Sequence, residues 1–556
     1  MTELAPGRVE AAAGLAVWGA DRVPGADEVR AALTADGVPG RLASGDPTLW
    51  GREAEASAAN RLGWVDAAAR SRQLLDPLAE LATELADLDH VVLAGMGGSS
   101  LAAEVIARTL DRPLTVLDST DPHQVGRALA DRLERTVVVV ASKSGTTVET
   151  DSQQRAYRRA FAEAGMSDGE IARRFVIVTD PGSPLESLGL DSGATVFTAD
   201  PQVGGRYSAL TAFGLVPAVL AGVDVVELLE QAEALGASLS GEADNPALAL
   251  GAALGAAATV DLDDGAGTGA RRRDKVAVVD DGTGIVGLGD WGEQLLAEST
   301  GKQGRGILPV VVESPQAPGV TGDDVLTLTA GAPLPPAGVP GGGVPPHVAV
   351  NGPLGAQFLA WEYATAVVGR VIGVNPFDEP NVTESKDNTR AILRQAAPSE
   401  PPAAVDGAVE LYGTSAGTLG RALRELLAGV SGGGYLAVLA YLDRVGDAGA
   451  AELRPLLARA TPRPVTFGWG PRYLHSTGQY HKGGPPDGSF LQITGAVTGD
   501  VAVPDQPYTF GALQAAQAAG DRQALLGRGR PVLRLHLRDR AAGLAQLREA
   551  ARDLSG

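Results

Sequence analysis

The sequence contains no cysteine, and it has only six histidines. The first absence excludes disulfides, thiolate catalysis, iron–sulfur clusters and cysteine-based zinc sites. No two histidines stand at the His-x-x-x-His spacing that places a pair of metal ligands on one helix face. A histidine-rich metal site is therefore not expected.

Positive charge is also scarce, because 46 Lys and Arg residues face 67 Asp and Glu residues, for a net charge of −21. So acidic a chain argues against nucleic acid or an anionic membrane as a general partner. No stretch of 18 apolar residues lacks a charge or a turn signal, so no membrane span is predicted. The first residues carry Glu3 and no basic segment, which predicts no signal peptide and a soluble, cytoplasmic protein.

Lysine is rare even among the basic residues. Only Lys143, Lys275, Lys302, Lys386 and Lys482 occur, and a GC-rich genome that favours arginine codons is the simplest cause. A lysine that remains in such a chain is either a leftover or a residue whose compact ammonium is needed beside a phosphate or hydroxyl.

Strands alternate with helical patterns along most of the chain, which predicts an α/β fold with parallel sheets covered by helices on both faces. Fully apolar runs at 91–94 and 136–142 are typical of strands buried on both sides. The Pro- and Ala-rich segment 396–407 is the best candidate for a linker between domains. The predicted divisions are a helical segment (1–89), a first α/β domain (90–260), a second (261–395), the linker (396–407) and a C-terminal α/β region (408–556).

The strongest local signal is the segment SKSGTTVET (142–150), at the end of a predicted strand and the start of a helix. Its hydroxyl residues are Ser142, Ser144, Thr146 and Thr147, and Gly145 lets the backbone turn. Free amides and the helix dipole favour an anion there, so the segment predicts a phosphate-binding cup. The alternative is an elaborate helix cap, although one cap does not need four hydroxyls.

The loop GMGGSS (95–100) approximates a dinucleotide-binding glycine motif, and Asp118 lies about 20 residues further on. A dinucleotide site is therefore one interpretation. A second phosphate-facing loop is preferred, because the hydroxyl cup at the next strand end has no purpose in a dehydrogenase.

Two further segments carry charged residues beside glycines. GGRYS (204–208) brings Arg206 and the backbone close to a ligand, and Glu298 ends a helix where a carboxylate is electrostatically disfavoured. Taken singly, either could be an ordinary surface residue.

Together these segments resemble the phosphoglucose isomerase family, whose members consist of two sugar isomerase (SIS) units. The resemblance covers roughly residues 90–395 and rests, in order, on GMGGSS, SKSGTTVET, GGRYS, EQLLAESTGKQGRG and NPFDEPNVTESK. The last motif and HSTGQYHKGGP are closest to the isomerase portion of fused transaldolase–isomerase proteins. Roughly 90 residues precede the first motif, too few for a transaldolase barrel of about 250 residues, so no transaldolase activity is predicted.

The resemblance implies reversible conversion of glucose 6-phosphate to fructose 6-phosphate through a cis-enediol, with no metal and no organic cofactor. Glu298 matches the base, Arg206 the cation that stabilises the enediolate, and Lys386 a lysine that assists ring opening. The residues matched to phosphate or sugar binding are Gly98, Ser99, Ser142, Lys143, Ser144, Thr146, Thr147 and Gln294.

Two departures from the family pattern stand out. The ring-opening histidine is absent between the Glu298 and Lys386 motifs, and His481 is the preferred candidate ahead of His475, with His347 in a Pro-Gly loop. Glu379 stands where the family commonly has Gln, where it alters sugar contacts or pairs with Lys386. Because family sites are completed across a dimer interface, a homodimer is implied.

Three alternatives stay open on the sequence alone. One is an isomerase of wider specificity that also takes mannose 6-phosphate. Another is a sugar-phosphate sensor that binds without turnover, although such regulators usually carry a basic DNA-binding region. The last is an NAD-dependent enzyme that uses GMGGSS and Asp118.

Overall fold

The structure is a computed structural model that describes residues 7–261, 272–280, 284–319, 322–334, 347–381, 383–395 and 400–555. Its strands are β1 Arg8–Glu10, β2 Ala16–Trp18, β3 His90–Gly95, β4 Thr115–Leu117, β5 Thr136–Ala141, β6 Phe175–Thr179, β7 Thr195–Thr198, β8 Lys275–Asp280, β9 Leu308–Val312, β10 Val325–Ala330, β11 His347–Asn351, β12 Ala404–Asp406, β13 Val409–Tyr412, β14 Tyr435–Tyr441, β15 Val465–Trp469, β16 Gly488–Gly495 and β17 Val532–Leu537.

The α-helices between and around these strands range from one turn to five. They are α1 Ala26–Ala35, α2 Val38–Ala43, α3 Glu55–Ala58, α4 Ala67–Ser71, α5 Leu75–Glu84, α6 Leu101–Thr109, α7 Pro122–Ala130, α8 Val148–Glu163, α9 Asp168–Arg173, α10 Pro184–Asp191, α11 Ala212–Leu220, α12 Val226–Gly236, α13 Pro246–Thr259, α14 Leu288–Thr300, α15 Leu354–Ile372, α16 Thr383–Gln395, α17 Leu419–Ala428, α18 Leu453–Arg459, α19 Gly478–Gly483, α20 Phe510–Gly527 and α21 Arg540–Arg552.

The first sheet has the order β4-β3-β5-β6-β7, and every pairing in it is parallel. Strands β3 and β5 are buried along their whole length, as their uninterrupted apolar runs predict. The chain leaves β3 toward one edge of the sheet and β5 toward the other. Their carboxyl ends therefore form the crevice where open α/β sheets bind ligands.

The second sheet has the order β1-β2-β11-β10-β8-β9. Strands β8 to β11 are parallel, while β2 runs antiparallel to β11 and pairs with β1 at the edge. Only helices were expected before residue 90, so these two short N-terminal strands are an addition. Helices α13 and α15 are buried on almost every face and pack against each other.

The third sheet has the order β12-β13-β17-β16-β14-β15, in which β14 to β17 are parallel and β12 and β13 antiparallel. Strand β12 falls within the predicted linker 396–407, of which residues 396–399 lie outside the described residues. The segments 261–274 and 330–347, whose Gly and Pro content predicts surface loops, also lie mostly outside the described residues.

The predicted α/β class with parallel-sheet units covered by helices is confirmed. Across the described ranges, no helix combines the length and the apolar character that crossing a bilayer requires.

Ion pairs join the C-terminal region to the first sheet's unit. Arg472 contacts Glu104 at 2.8 Å and Asp118 at 2.6 Å, and these three side chains are largely buried. Arg540 likewise contacts Asp121 at 2.8 Å. Removing one partner of such a buried pair is costly, so these contacts fix the position of the C-terminal region on the rest of the chain.

Candidate active site

The hydroxyl cup follows β5, as the sequence predicts. Its turn is held by Ser142, whose Oγ accepts a hydrogen bond from the Gly145 amide at 3.2 Å and lies 2.9 Å from Thr147 Oγ1. Ser144 Oγ lies 3.0 Å from Thr146 Oγ1, and both residues are exposed. Thr147 immediately precedes α8, yet its side chain makes no cap hydrogen bond. The cup therefore exceeds what helix capping requires.

Lys143 lies on the rim of the cup. Its Nζ forms a 2.5 Å salt bridge with Asp180, which follows the neighbouring strand β6. Burial raises the pKa of Asp180, although the ammonium opposes that shift. The ammonium is thus held beside the cup but is already engaged by a carboxylate.

The loops after β3 and before α11 touch each other at Gly98. A Cβ at this position would lie 2.1 Å from the carbonyl oxygen of Gly205 and 2.7 Å from the Arg206 amide nitrogen, so only glycine fits. Ser208 Oγ donates to the Gly98 carbonyl at 3.2 Å. The close approach brings Arg206 to the ligand crevice of the first sheet.

Arg206 is 4% exposed and all of its nitrogen atoms are engaged. Its Nε donates to Ser299 Oγ at 2.8 Å, and its Nη2 donates to the carbonyl oxygens of Pro376 and Asp378. Burial alone would lower the pKa of the guanidinium, but the carboxylates of Glu298 and Glu379 outweigh burial and raise that pKa. The result is a fixed, permanent positive charge.

Glu298 lies in the last turn of α14 with 13% of its side chain exposed. Its Oε1 accepts from Arg206 Nη1 at 3.1 Å, and its Oε2 accepts from Gln294 Nε2 at 2.8 Å. Burial raises the pKa of the carboxyl; Arg206 opposes the shift and Glu379 adds to it. A carboxylate with a raised pKa is suited to general base catalysis near neutral pH.

Gln294, one turn earlier on α14, connects this pair to the C-terminal region. Its Nε2 also donates to the carbonyl oxygen of His475 at 2.8 Å, while its buried Oε1 has no hydrogen-bond partner within the ranges that the structure describes. An unpaired buried acceptor costs free energy, which a hydroxyl group of a ligand would recover.

His475 is the histidine that the structure brings into the site. It ends the 3-10 turn Arg472–His475 after β15, and its Nε2 lies 2.9 Å from Glu149 Oε1. Burial would raise the pKa of Glu149, but His475 outweighs that effect and the pKa is lowered. Gln517 from α20 also donates to Glu149 Oε1, at 2.7 Å. The imidazole is thus oriented by an ionised carboxylate.

His481, the preferred candidate from the sequence, lies elsewhere. It belongs to α19, is 2% exposed, and its Nδ1 lies 2.8 Å from the hydroxyl of Tyr435. The ring stacks on Tyr435 and meets the edge of Phe490. Burial, together with the Lys482 ammonium, lowers the pKa of His481 to about 3. His481 is a neutral core residue, and the expectation is corrected in favour of His475.

Glu379 contacts Arg206 rather than Lys386. Its Oε2 accepts from Arg206 Nη1 at 3.1 Å, so two carboxylates share one guanidinium nitrogen. Lys386 lies on α16, exposed, and the positive charge of its ammonium lowers the pKa values of both Glu379 and Glu149. The pairing expected between Glu379 and Lys386 is therefore a through-space attraction.

These groups converge on one cavity of about 360 Å³. Of the sequence-predicted residues, its walls contain Gly98, Ser99, Lys143, Ser144, Thr147, Arg206, Gln294, Glu298 and Lys386. His475 and Glu379 line it as well, whereas Ser142, Thr146 and His481 are absent from its walls. Thr146 instead faces an adjoining cavity on the far side of Thr147.

Glu149 is a site residue that sequence reasoning missed. It precedes Gln153, Tyr157 and Phe161 at intervals of four, and all four side chains are buried along one face of α8. This spacing was visible in the sequence and predicts a buried carboxylate, which requires a partner.

Comparison with known proteins identifies the family to which this chain is similar. Residues 81–254 match the family model described as phosphoglucose isomerase. A glucose-6-phosphate isomerase of Heliobacterium modesticaldum is 30% identical over 319 residues, which cover 48% of this chain and 69% of that protein. The chain belongs to the phosphoglucose isomerase family.

Other members of the phosphoglucose isomerase family match shorter stretches. A probable glucose-6-phosphate isomerase of Haloarcula marismortui is 35% identical over 237 residues, 40% of this chain and 50% of that protein. The chain thus spans about half the length of this archaeal relative. Among solved structures, a glucose-6-phosphate isomerase from Chlamydia trachomatis has a TM-score of 0.51 at 20% identity, covering 69% of this chain and 89% of that one. That likeness supports the fold.

Proposed function

We propose that the protein is a glucose-6-phosphate isomerase that interconverts glucose 6-phosphate and fructose 6-phosphate in the cytoplasm, as a step of glycolysis and gluconeogenesis. The observation that supports this most is the single cavity in which the hydroxyl cup, the Arg206–Glu298 pair, Lys386 and His475 meet. A sensor that only binds sugar phosphate would need the cup but not a carboxylate with a raised pKa beside a buried guanidinium.

In the proposed mechanism the phosphate group occupies the cup, where Ser144 and Thr147 donate hydrogen bonds. His475 and Lys386 open the sugar ring by moving a proton between the ring oxygen and the C1 hydroxyl. The Glu149 carboxylate keeps the imidazole oriented for this transfer.

Glu298 then removes the proton from C2 and returns it to C1, while a hydroxyl proton moves between O1 and O2. The intermediate is a cis-enediol, and no electron leaves the substrate. Arg206, fixed by its carbonyl and hydroxyl contacts, stabilises the negative charge that develops on the oxygens. Gln294 Oε1 is available to accept a sugar hydroxyl.

The test compares wild type with Glu298→Gln in EDTA, with glucose 6-phosphate formation coupled to a dehydrogenase. We expect a fall in kcat of several orders of magnitude, because the amide cannot accept the C2 proton. Glu293→Gln is the matched control: it lies on the same helix, and burial raises its pKa well above the usual value, so an uncharged amide is a near substitute. Wild-type protein that binds fructose 6-phosphate without converting it would refute the proposal.

In the proposed site the ring-opening histidine comes from the same chain as Glu298, because His475 lines the same cavity. In a mixture of Glu298→Gln and His475→Asn chains, each chain lacks one of the two side chains and keeps the other. If each chain builds its own site, co-expression of the two variants restores no activity.

Co-expression gives a different result if each site takes Glu298 from one chain and His475 from the other chain of a dimer. Random pairing would then place one intact site in each mixed dimer and restore about one quarter of the wild-type activity. The homodimer implied by the resemblance stays a prediction, which sedimentation of the wild-type protein checks separately.

A further inference from the structure

The third sheet has a ligand crevice of its own. The chain leaves β14 toward β15 at one edge and leaves β16 toward β17 on the other side, so the strand order reverses between β14 and β16. Ligands of open α/β sheets bind outside the carboxyl ends of the strands at such a reversal. The crevice of the first sheet, between β3 and β5, is the cavity already described.

A cavity of about 470 Å³ lies at this position, between the sheet and α20. The register places Gln492 of β16 beside Arg534 of β17 and Thr494 beside His536, so all four side chains share the sheet face that lines the cavity. Gln514 of α20 covers them from the opposite wall. The side chains of Gln492, Gln514 and Arg534 thus stand among small apolar residues of the wall, where a sheet and a helix normally pack through apolar side chains alone.

Two buried amide groups in this cavity have unsatisfied atoms. Gln492 is 0% exposed, and its Nε2 donates to the Ala518 carbonyl at 2.9 Å, which fixes the orientation of the amide and leaves Oε1 without a hydrogen-bond partner among the described residues. Gln514 is 5% exposed, and its Nε2 has no hydrogen-bond partner in the described part of the chain either. Buried polar atoms are nearly always paired in native proteins, so this free acceptor and free donor require an explanation.

A positive charge accompanies them. The guanidinium of Arg534 lies 4.3 Å from the centre of the Tyr412 ring, and within the described ranges no carboxylate forms a salt bridge with it. Glu400, a carboxylate on the cavity wall, is instead bound by Arg522 at 3.0 Å. The Glu400 and Glu410 carboxylates attract this guanidinium through space, but neither forms a salt bridge with it, so the guanidinium can still pair with a ligand.

We propose that this cavity binds a small hydroxylated anion, either a phosphate ester of a polyol or a hydroxy acid. The anionic group pairs with Arg534, and a hydroxyl group donates to Gln492 Oε1 and accepts from Gln514 Nε2. One hydroxyl thereby satisfies both free amide atoms, which an apolar ligand or a halide ion cannot do.

The cavity also has a route to the active site. The Tyr441 hydroxyl on its wall lies 2.9 Å from the hydroxyl of Tyr473, which precedes His475 by two residues on the same 3-10 turn. Tyr473 in turn donates to Asp521 of α20 at 2.6 Å. A ligand that moves Tyr441 or α20 acts on the segment that carries the imidazole.

The test is calorimetric titration of the full chain with glycerol 3-phosphate and, separately, with D-gluconate. At least one of the two is expected to bind with one site per chain in a variant whose phosphate cup is disabled by Ser144→Ala and Thr147→Val. Adding Arg534→Met or Gln514→Leu should weaken that binding by about tenfold or more, since each removes a group that the proposal pairs with the ligand. The matched control is Arg538→Met, an exposed arginine on the same segment outside the cavity.

The identity of the effective probe distinguishes the phosphate ester from the hydroxy acid. No binding of either probe to the cup-disabled chain overturns the proposal, as does binding that Arg534→Met and Gln514→Leu leave unchanged. Using two substitutions on different elements guards against one that fails to fold, and circular dichroism checks each. Because the readout is heat of binding, failure here leaves the isomerase proposal untouched, and absence of isomerase activity leaves this one untouched.

Discussion

Replacing Glu379 by Gln should lower the pKa of Glu298. Both carboxylates lie 3.1 Å from the same nitrogen of Arg206, which limits the distance between their nearest oxygens to about 6 Å. Burial would raise the pKa of Glu379, but Arg206 outweighs burial and holds that pKa below its usual value. Glu379 is therefore ionised wherever the enzyme works, and its charge opposes ionisation of Glu298.

The size of the effect follows from Coulomb's law. Two unit charges about 6 Å apart interact by about 3 kcal/mol at an effective dielectric constant of 20 and by about 0.7 kcal/mol in water. The Glu379 side chain is 49% exposed, so the lower part of this range applies. At 1.36 kcal/mol per pKa unit, the expected fall in the pKa of Glu298 is about 0.5 to 1 unit.

The assay is the pH dependence of kcat/KM for fructose 6-phosphate, whose acid limb reports the base of the free enzyme. The base must be deprotonated, so a lower pKa moves the acid limb to lower pH. Both enzymes use the same substrate, and titration of its phosphate group therefore cancels from the comparison. The control is Glu384→Gln, which removes a carboxylate bound by Arg528 outside the cavity.

An acid limb that stays in place, or moves to higher pH, would refute the reasoning that Glu379 raises the pKa of the base. If the acid limb shifted equally in Glu384→Gln, the effect would come from the change in net charge and not from the guanidinium that Glu298 and Glu379 share.

Two further predictions concern the packing that builds the site. Gly98→Ala should reduce activity and lower the free energy of unfolding by about 1–3 kcal/mol, measured in urea, because its Cβ would overlap the Gly205 carbonyl 2.1 Å away. A variant with wild-type activity would show that the two loops separate freely. Arg472→Met should lower the free energy of unfolding by at most about 3–5 kcal/mol, because Glu104 and Asp118 lose one of their two arginines while Arg444 stays 2.8 Å from Glu104. Since Arg472 and Arg444 together hold the pKa of Glu104 at about 2 against burial, that loss should shrink as the pH falls from about 4.5 toward 2, and a pH-independent difference would contradict it.

Much of the fold could be predicted from the sequence because the central strands are apolar on both faces. The run TVVVVA fills both sides of β5 and fits nothing but a buried strand. Strands β1, β2 and β12 were missed, since three-residue edge strands leave no periodic pattern, and their pairing depends on a neighbour distant in the chain. The strand order in each sheet likewise follows from packing rather than from any local signal.

The sequence predicts the cavity residues that stand in a recognisable motif. It does not predict those whose position depends on contacts with residues distant in the chain. Gly98, Arg206 and Glu298 stand in motifs whose residue types reveal a function, and all three line the cavity. His475 and His481 lie six residues apart in one motif, and the sequence alone does not say which side of the turn faces the ligand. The choice is made by Tyr435 of β14, whose hydroxyl and ring retain His481 in the core.

Because His475 lies late in the chain, it is synthesised after most of the other residues that line the cavity. A ribosome that has released the chain up to residue 400 has already made the cup, Arg206, Glu298 and Lys386, but not the imidazole or Gln517, which holds its carboxylate partner. In the proposed mechanism, the residues that hold the phosphate are therefore made before the residue that opens the sugar ring. The proposed ring opening requires the third sheet to have folded and docked, so isomerase activity reports on that docking.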